Sequence, residues 1–275
     1  VLSSANSINF GRLAPQIAYY FSAYLDLVSS DQIEMGDRVN FAVPTGNFGN
    51  ILAAYYAMRM GLPIGKLVCA SNKNNILTDF IRTGVYDKRR DFYKTMSPSM
   101  DILISSNLER LLFEISGRDA ARVRALMDAL SKEGVYSLSD AEREKVQALF
   151  YGDFCGEDET VETIYEFFEE YQYPMDTHTA CAKYAADNYR AKNEKDHAPM
   201  VIVCTASPYK FPRVVVDAVR EQAAADDFAA VNDLEKLSGV AIPKAVKSLD
   251  KLPVRHDTVV STDGIQAIVE SILGI

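Results

Sequence analysis

At 275 residues, with 48% hydrophobic and 24% charged side chains, the chain can bury a substantial core as one large domain or two smaller ones. Its formal net charge of -9 works against a nucleic-acid partner, because such partners demand concentrated Lys and Arg to displace counterions from phosphates. No apolar run approaches the roughly 18 residues of a membrane span, and the opening VLSSANSINF lacks the basic-then-apolar layout of a signal peptide. The expectation is a cytoplasmic protein with neither nucleic acid nor membrane as a partner.

In chain order, RLAPQIAYYFSAYLDLV comes first, a helical pattern with Leu13, Ile17, Tyr20, Tyr24 and Leu27 at three- and four-residue steps. Apolar runs at 38–43 (RVNFAV), 66–70 (KLVCA), 101–105 (DILIS) and 199–205 (PMVIVCT) read as strands covered on both faces, hence as a parallel sheet. Helices are expected at 50–60, 107–116, 119–132, 139–150, 160–171, 178–191 and 212–224, with Ser139 and Glu142 as a capping box. The alternation predicts an α/β fold: a three-layer, open, mostly parallel sheet with flanking helices. Residues 107–173 show four helices and no clear strand, and are expected to be a helical insertion. Cys69, Cys155, Cys181 and Cys204 are scattered with no CxxC pair; they read as core thiols, with neither a disulfide nor a metal expected.

One turn points to a ligand. In FAVPTGNFGNILAAYYAMRMG (41–61) a buried strand runs through a glycine-containing turn into a helix. Glycines there allow a sharp turn and close approach, and the helix amino end offers unpaired N–H groups to an anion, most often a phosphate. The spacing is neither GxGxxG nor a GK[ST] P-loop, which disfavours dinucleotides and ATP. A turn that needs glycine only for its backbone conformation is the other reading. Two further segments are polar beyond structural need: Ser3, Ser4, Asn6, Ser7 and Asn9 ahead of the first helix, and CTASPYKFP (204–212), where Thr205 and Ser207 leave the carboxyl end of a strand.

SANSINFGRLAPQIAYYF, PTGNFGN, DTHTACA and TASPYKF together resemble threonine synthases in order and approximate spacing, from the first residue into the 210s. The resemblance implies a pyridoxal phosphate (PLP) fold of type II, like the tryptophan synthase β chain. It also implies conversion of O-phospho-L-homoserine and water to L-threonine and phosphate. By resemblance, Gly46, Asn47, Phe48, Gly49 and Asn50 would surround the PLP phosphate, and the Thr205 hydroxyl would face the pyridine nitrogen. A β-branched strand residue is the alternative role for Thr205. Ser4, Asn6, Asn9 and Arg12 would lie near the substrate, although Arg12 fits a helix-surface ion pair equally well.

The chain departs from the family pattern at Thr177, where the family usually has proline, and at Ser207-Pro208, where it often has His-Pro. His178 is therefore either a wall of the site or a satisfied structural histidine. Lys210 is set aside as the PLP lysine, because it follows the ring-nitrogen partner by only five residues whereas the reactive carbon lies para to that nitrogen. Lys73 reads as a solvated loop lysine. The family's PLP lysine sits in an F-K-D context upstream of SANSIN, so no catalytic residue is assigned within 1–275. The start at Val1 suggests the larger carboxyl-terminal part of a threonine synthase. Residues 1–38 would bridge from a missing amino-terminal lobe and 39–275 would form the large domain. Such a piece would be inactive alone, with PLP absent or weakly bound, and would self-associate through a bared Leu13, Ile17 and Tyr20 stripe. A non-catalytic phosphate-binding α/β module and a threonine dehydratase-like PLP lyase are the alternatives.

Overall fold

In the computed structural model, which describes residues 6–220, 224–255 and 257–275, the chain opens with a broken helix. Asn9 caps α1 (Phe10–Leu13) by accepting from Gly11 N at 2.8 Å. A 3-10 turn containing Pro15 separates α1 from α2 (Ile17–Ser29), as expected where proline cannot join the helical ladder. The bared stripe is not found: Leu13 and Tyr20 are only 1% and 2% exposed. The chain covers them itself, with the Tyr20 ring edge-on to Phe41 at 5.0 Å. Ile17 between them is partly buried, and α2 turns Tyr19 and Leu25 outward.

Two strand–helix units follow, β1 (Val39–Pro44) with α3 (Gly49–Arg59) and β2 (Ile64–Ser71) with α4 (Ile76–Thr83). Next come β3 (Val85–Asp87), α5 (Leu108–Ile115), α6 (Ala120–Lys132), β4 (Val135–Ser137), α7 (Asp140–Leu149) and β5 (Phe150–Phe154). The long helices α8 (Glu157–Tyr171) and α9 (Thr177–Lys192) lead to β6 (Met200–Ile202), α10 (Pro212–Val219) and α11 (Asp227–Ser238). The main sheet is parallel throughout, in the order β5-β2-β1-β6, and β3 pairs antiparallel with β4.

Strand alternation builds three layers. Phe41, Val43, Leu67 and Cys69 point into the larger core with Ile51, Leu52 and Phe80. Ala42, Val68 and Ala70 point to the opposite face, where Ala182, Ala185 and Ala186 let α9 lie close to the sheet. Backbone contacts separate Val1–Val240 from a small unit, Ala241–Ile275, which holds α12 (Ile265–Leu273) and buries none of its described residues. Described residues 6–38 fall in the same compact unit as the sheet.

Three sequence expectations are corrected. Residues 101–105 form a loop, because side chains take over its backbone groups: the Tyr86 hydroxyl donates to Leu103 O at 3.1 Å and accepts from Ser105 N at 2.9 Å. The run at 199–205 yields only the three-residue edge strand β6, half-buried rather than covered on both faces, and Cys204 beyond it is exposed while the other three cysteines are buried. The 107–173 stretch has its helices and the Ser139–Glu142 capping box, yet it also supplies β5, an edge strand of the main sheet. Gly152 is what let a short strand hide there, since an added Cβ would meet Thr78 Cα at 3.0 Å.

Candidate active site

A cavity of about 280 Å³ opens at the carboxyl edge of the sheet, where β1 runs through 45–48 into α3. The turn owes its shape to contacts the sequence does not advertise. Neither glycine takes a left-handed conformation; Phe48 does, at φ 61°, while its ring is buried 5.7 Å from Phe150. That backbone is uncommon for a bulky residue, so the core packing of the ring holds it. Gly46 is required by close approach: a Cβ there would lie 2.7 Å from Ser99 O. An added Cβ at Gly49 would find only Asn107 Nδ2, at an ordinary 3.5 Å. Protein packing therefore does not demand glycine at 49, and its bare backbone leaves room for a ligand at the first turn of α3.

That first turn presents N–H groups without partners in their own helix, at the positive end of the helix dipole. The Tyr20 hydroxyl anchors it by donating to Asn50 O at 3.1 Å and, in a shorter bond, to Asn50 Oδ1. Burial pushes the Tyr20 hydroxyl well above its ordinary pKa, so it remains a donor. Asn107 braces the other side: its N–H and Nδ2 both donate to Asn47 O, at 3.1 and 2.9 Å, and Nδ2 also donates to Ser7 O at 2.9 Å. This fixes the segment before α1 against the turn.

The roof of the cavity is the loop bearing Ser99. A buried amide network secures it: Asn72 Nδ2 donates to Thr95 Oγ1 and Asp101 Oδ1, each at 2.8 Å, and Asn74 Nδ2 donates to Asp101 Oδ1 at 3.0 Å. At the loop's tip, Ser99 N donates to His178 Nε2 at 3.2 Å. A backbone N–H can only donate, so the imidazole proton sits on Nδ1, facing Asp176 Oδ1 at 3.1 Å. Asp176 also caps α9 through His178 N and Thr179 N. Burial alone would raise its carboxyl pKa, but hydrogen bonds from His178 and Thr179 outweigh that and hold it below its usual value. His178 thus belongs to both readings at once, being structurally satisfied and part of the cavity wall.

Of the residues singled out in the sequence, Gly46, Asn47, Phe48, Gly49, Asn50, Thr205 and Arg12 all line this one cavity. Asn9 is spent as a cap, Asn6 accepts from Asn9 N through its main chain, and neither lines the cavity; Ser4 lies outside the described residues. Lys73 is exposed in its loop, over the Tyr93 ring at 4.3 Å. Sequence reasoning missed Gln16, Ser99 and Asn107, which also line the cavity. The repeated polar letters of 95–107 hinted at Ser99 and Asn107. Among the described residues no Asp or Glu lines the cavity, although acids outnumber bases 38 to 29 in the chain.

These features bring the amino end of a helix and a neutral hydroxyl to one cavity. A family model for the C-terminal part of threonine synthase matches residues 179–269. The PLP-bound threonine synthase of Brucella melitensis is 42% identical with a TM-score of 0.73, covering 86% of this chain and 48% of that one. The chain belongs to the threonine synthase family. Yeast threonine synthase superposes with a TM-score of 0.82 at 30% identity, over 98% of this chain and 54% of its own. The human protein named threonine synthase-like 1 is 47% identical over 221 residues, which are 80% of this chain and 29% of that protein. The chain thus spans about half of the threonine synthase structures and under a third of the threonine synthase-like protein. Its sheet and helices are the α/β fold of type II PLP enzymes.

Proposed function

We propose that this chain forms the cofactor-phosphate side of a threonine synthase, acting on O-phospho-L-homoserine and water to give L-threonine and phosphate in the cytoplasm. The observation that carries the reading is the 45–50 turn, with its ligand-facing glycine and unspent α3 N–H groups in a cavity lined by no carboxylate. The backbone at Gly46–Asn50 would hold the PLP phosphate. Thr205 would meet the ring nitrogen with a neutral hydroxyl, which leaves that nitrogen less protonated than a carboxylate would. Bound there, PLP supplies the electron sink that acidifies the proton next to the substrate amine.

The chain's own residues orient and bind. Arg12 offers forked donors to the phosphate or carboxylate of the substrate. The Asp176–His178 pair keeps Ser99 seated over Gly46. Holding and moving the substrate's α proton needs a base, and no lysine lines the cavity among the described residues. We assign that base to a lysine outside residues 1–275, so the 275-residue chain by itself binds and does not turn over.

The test is a PLP titration of the 275-residue chain followed by absorbance, then borohydride reduction with peptide mapping and a threonine-release assay. Saturable PLP binding, no reduced lysine within 1–275 and no threonine are expected. Threonine release, or a reduced lysine in this chain, overturns the assignment of the base.

A further inference from the structure

We propose that Ser99 and Lys210 form a phosphate-binding pair at the rim of the cavity, in which the lysine orients and polarises the serine hydroxyl toward a phosphate dianion. Lys210 Nζ donates to Ser99 Oγ in a long bond of 3.4 Å. With that oxygen accepting from the ammonium, the hydroxyl proton is free to donate elsewhere, and Ser99 lines the cavity. The peptide of Ser99 cannot swing away, because its N–H is held by His178 and its carbonyl sits against Gly46, the first glycine of the turn.

Lys210 is mounted as firmly. It ends a 3-10 turn, Pro208–Lys210, closed by Lys210 N donating to Ser207 O at 2.9 Å. The neighbouring Tyr209 is buried, with its hydroxyl bonded to Val240 O. The ammonium lies 5.2 Å from the centroid of the Phe211 ring, which itself packs 5.2 Å from the His178 ring. Among the described residues no ion pair engages Lys210, and one of its three donors is used. In a chain with nine more acids than bases, a cation that no carboxylate among the described residues engages, beside a cavity that none of them lines, is suited to an anion that arrives from outside.

This deepens the reading above only in the identity of the anion, which is either the cofactor's phosphate or the substrate's. Ser99→Ala, Lys210→Met and Lys210→Arg are titrated with inorganic phosphate, PLP, pyridoxal and O-phospho-L-homoserine, with melting temperature as the folding control. Both side chains are exposed, so unchanged melting is expected. Ser99→Ala and Lys210→Met should each weaken inorganic phosphate roughly three- to tenfold, an effect kept modest by solvent screening. The double variant should lose no more than the worse single, as for groups that act as a unit, and Lys210→Arg should recover most of the affinity.

Loss for PLP but not pyridoxal marks the cofactor phosphate; loss for O-phospho-L-homoserine with PLP unchanged marks the substrate phosphate. Phosphate affinity within twofold of the unaltered protein in both single variants overturns the pair, as does its absence from the unaltered protein. Losses that simply add overturn the relay. Lys210-dependent phosphate binding without any PLP binding leaves the pair standing and removes the cofactor reading alone.

Discussion

The two edges of the sheet carry two clefts, and the larger is the less equipped for chemistry. A groove of about 860 Å³ lies at the amino edge, among Arg38, Gly65, Lys66, Ala148, Lys192 and Asp196. Two of its charged groups are already occupied. Burial lowers the Lys66 pKa, and its ammonium is spent on the carbonyls of Gln147 and Ala148 at 3.0 and 2.6 Å, where α7 ends. Asp196 is taken by Asn40 Nδ2 at 2.9 Å and by the Tyr189 hydroxyl. The smaller cavity at the carboxyl edge gathers the amino end of α3 and the Thr205 hydroxyl, with Lys210 bonded to Ser99 at its rim. What distinguishes it is the kind of donor it offers, the helix-end N–H groups that open parallel sheets concentrate where strands give way to helix amino ends.

The sharpest way to break this contrast is Gly46→Val. Its branches would enter the carbonyl of Ser99, 2.7 Å from the first added atom. Forcing the roof off the turn should cost about 1 to 3 kcal/mol of stability and at least tenfold in PLP affinity, about 1.4 kcal/mol of binding free energy. Denaturant melts and a PLP titration check both; unaltered affinity would detach the turn from the cofactor.

Asp176 sharpens it next. Asp176→Ala removes an α9 cap and leaves the His178 Nδ1–H with only the long 3.4 Å contact to Thr177 Oγ1, for an expected loss of about 2 to 4 kcal/mol. Asp176→Asn keeps an accepting oxygen and should lose less. Because the folded-state carboxyl pKa is depressed, the stabilisation from its charge is complete above the ordinary carboxylate value, near 4, and fades as pH falls through the lower folded value. Melts from pH 6 to pH 2 should therefore fall more steeply for the unaltered protein than for Asp176→Asn.

The smallest effects come from a matched pair of exposed positions, one on each edge. Thr205→Val should leave stability within about 0.5 kcal/mol yet shift the absorbance band of bound PLP, while Lys192→Ala at the amino edge should move neither band nor affinity. A band shift from Lys192→Ala would erase the distinction between the clefts.

What could be read in advance followed physical locality. β1, β2 and α3 were legible because continuous apolar runs covered on both faces leave an unmistakable pattern, whereas α4 (Ile76–Thr83) was not among the expected helices. β5 was not, since FYGDF alternates poorly and follows α7 without a break. DILIS looked like a strand by composition, yet Tyr86 and Asp101 assign its backbone and neighbours to a loop through contacts spanning up to 29 residues. In the site, the GNFGN turn and Thr205 were visible through resemblance. Ser99 and Asn107 were hidden, because their value lies in what they touch: Gly46 and His178 in one case, Asn47 and Ser7 in the other. Tyr20 was read as apolar and proved to be an anchor for Asn50.

The strained backbone of Phe48 reaches beyond the cavity. Its ring is wedged against Phe150 of β5, the edge strand farthest from β6, so the shape of the turn is maintained from the flank of the sheet. Any fluctuation that peels β5 away would let residue 48 relax out of its left-handed state and dissolve the proposed anion cradle. By the same linkage a bound phosphate would clamp that flank shut, making cooperative integrity of the sheet and ligand occupancy two faces of one equilibrium.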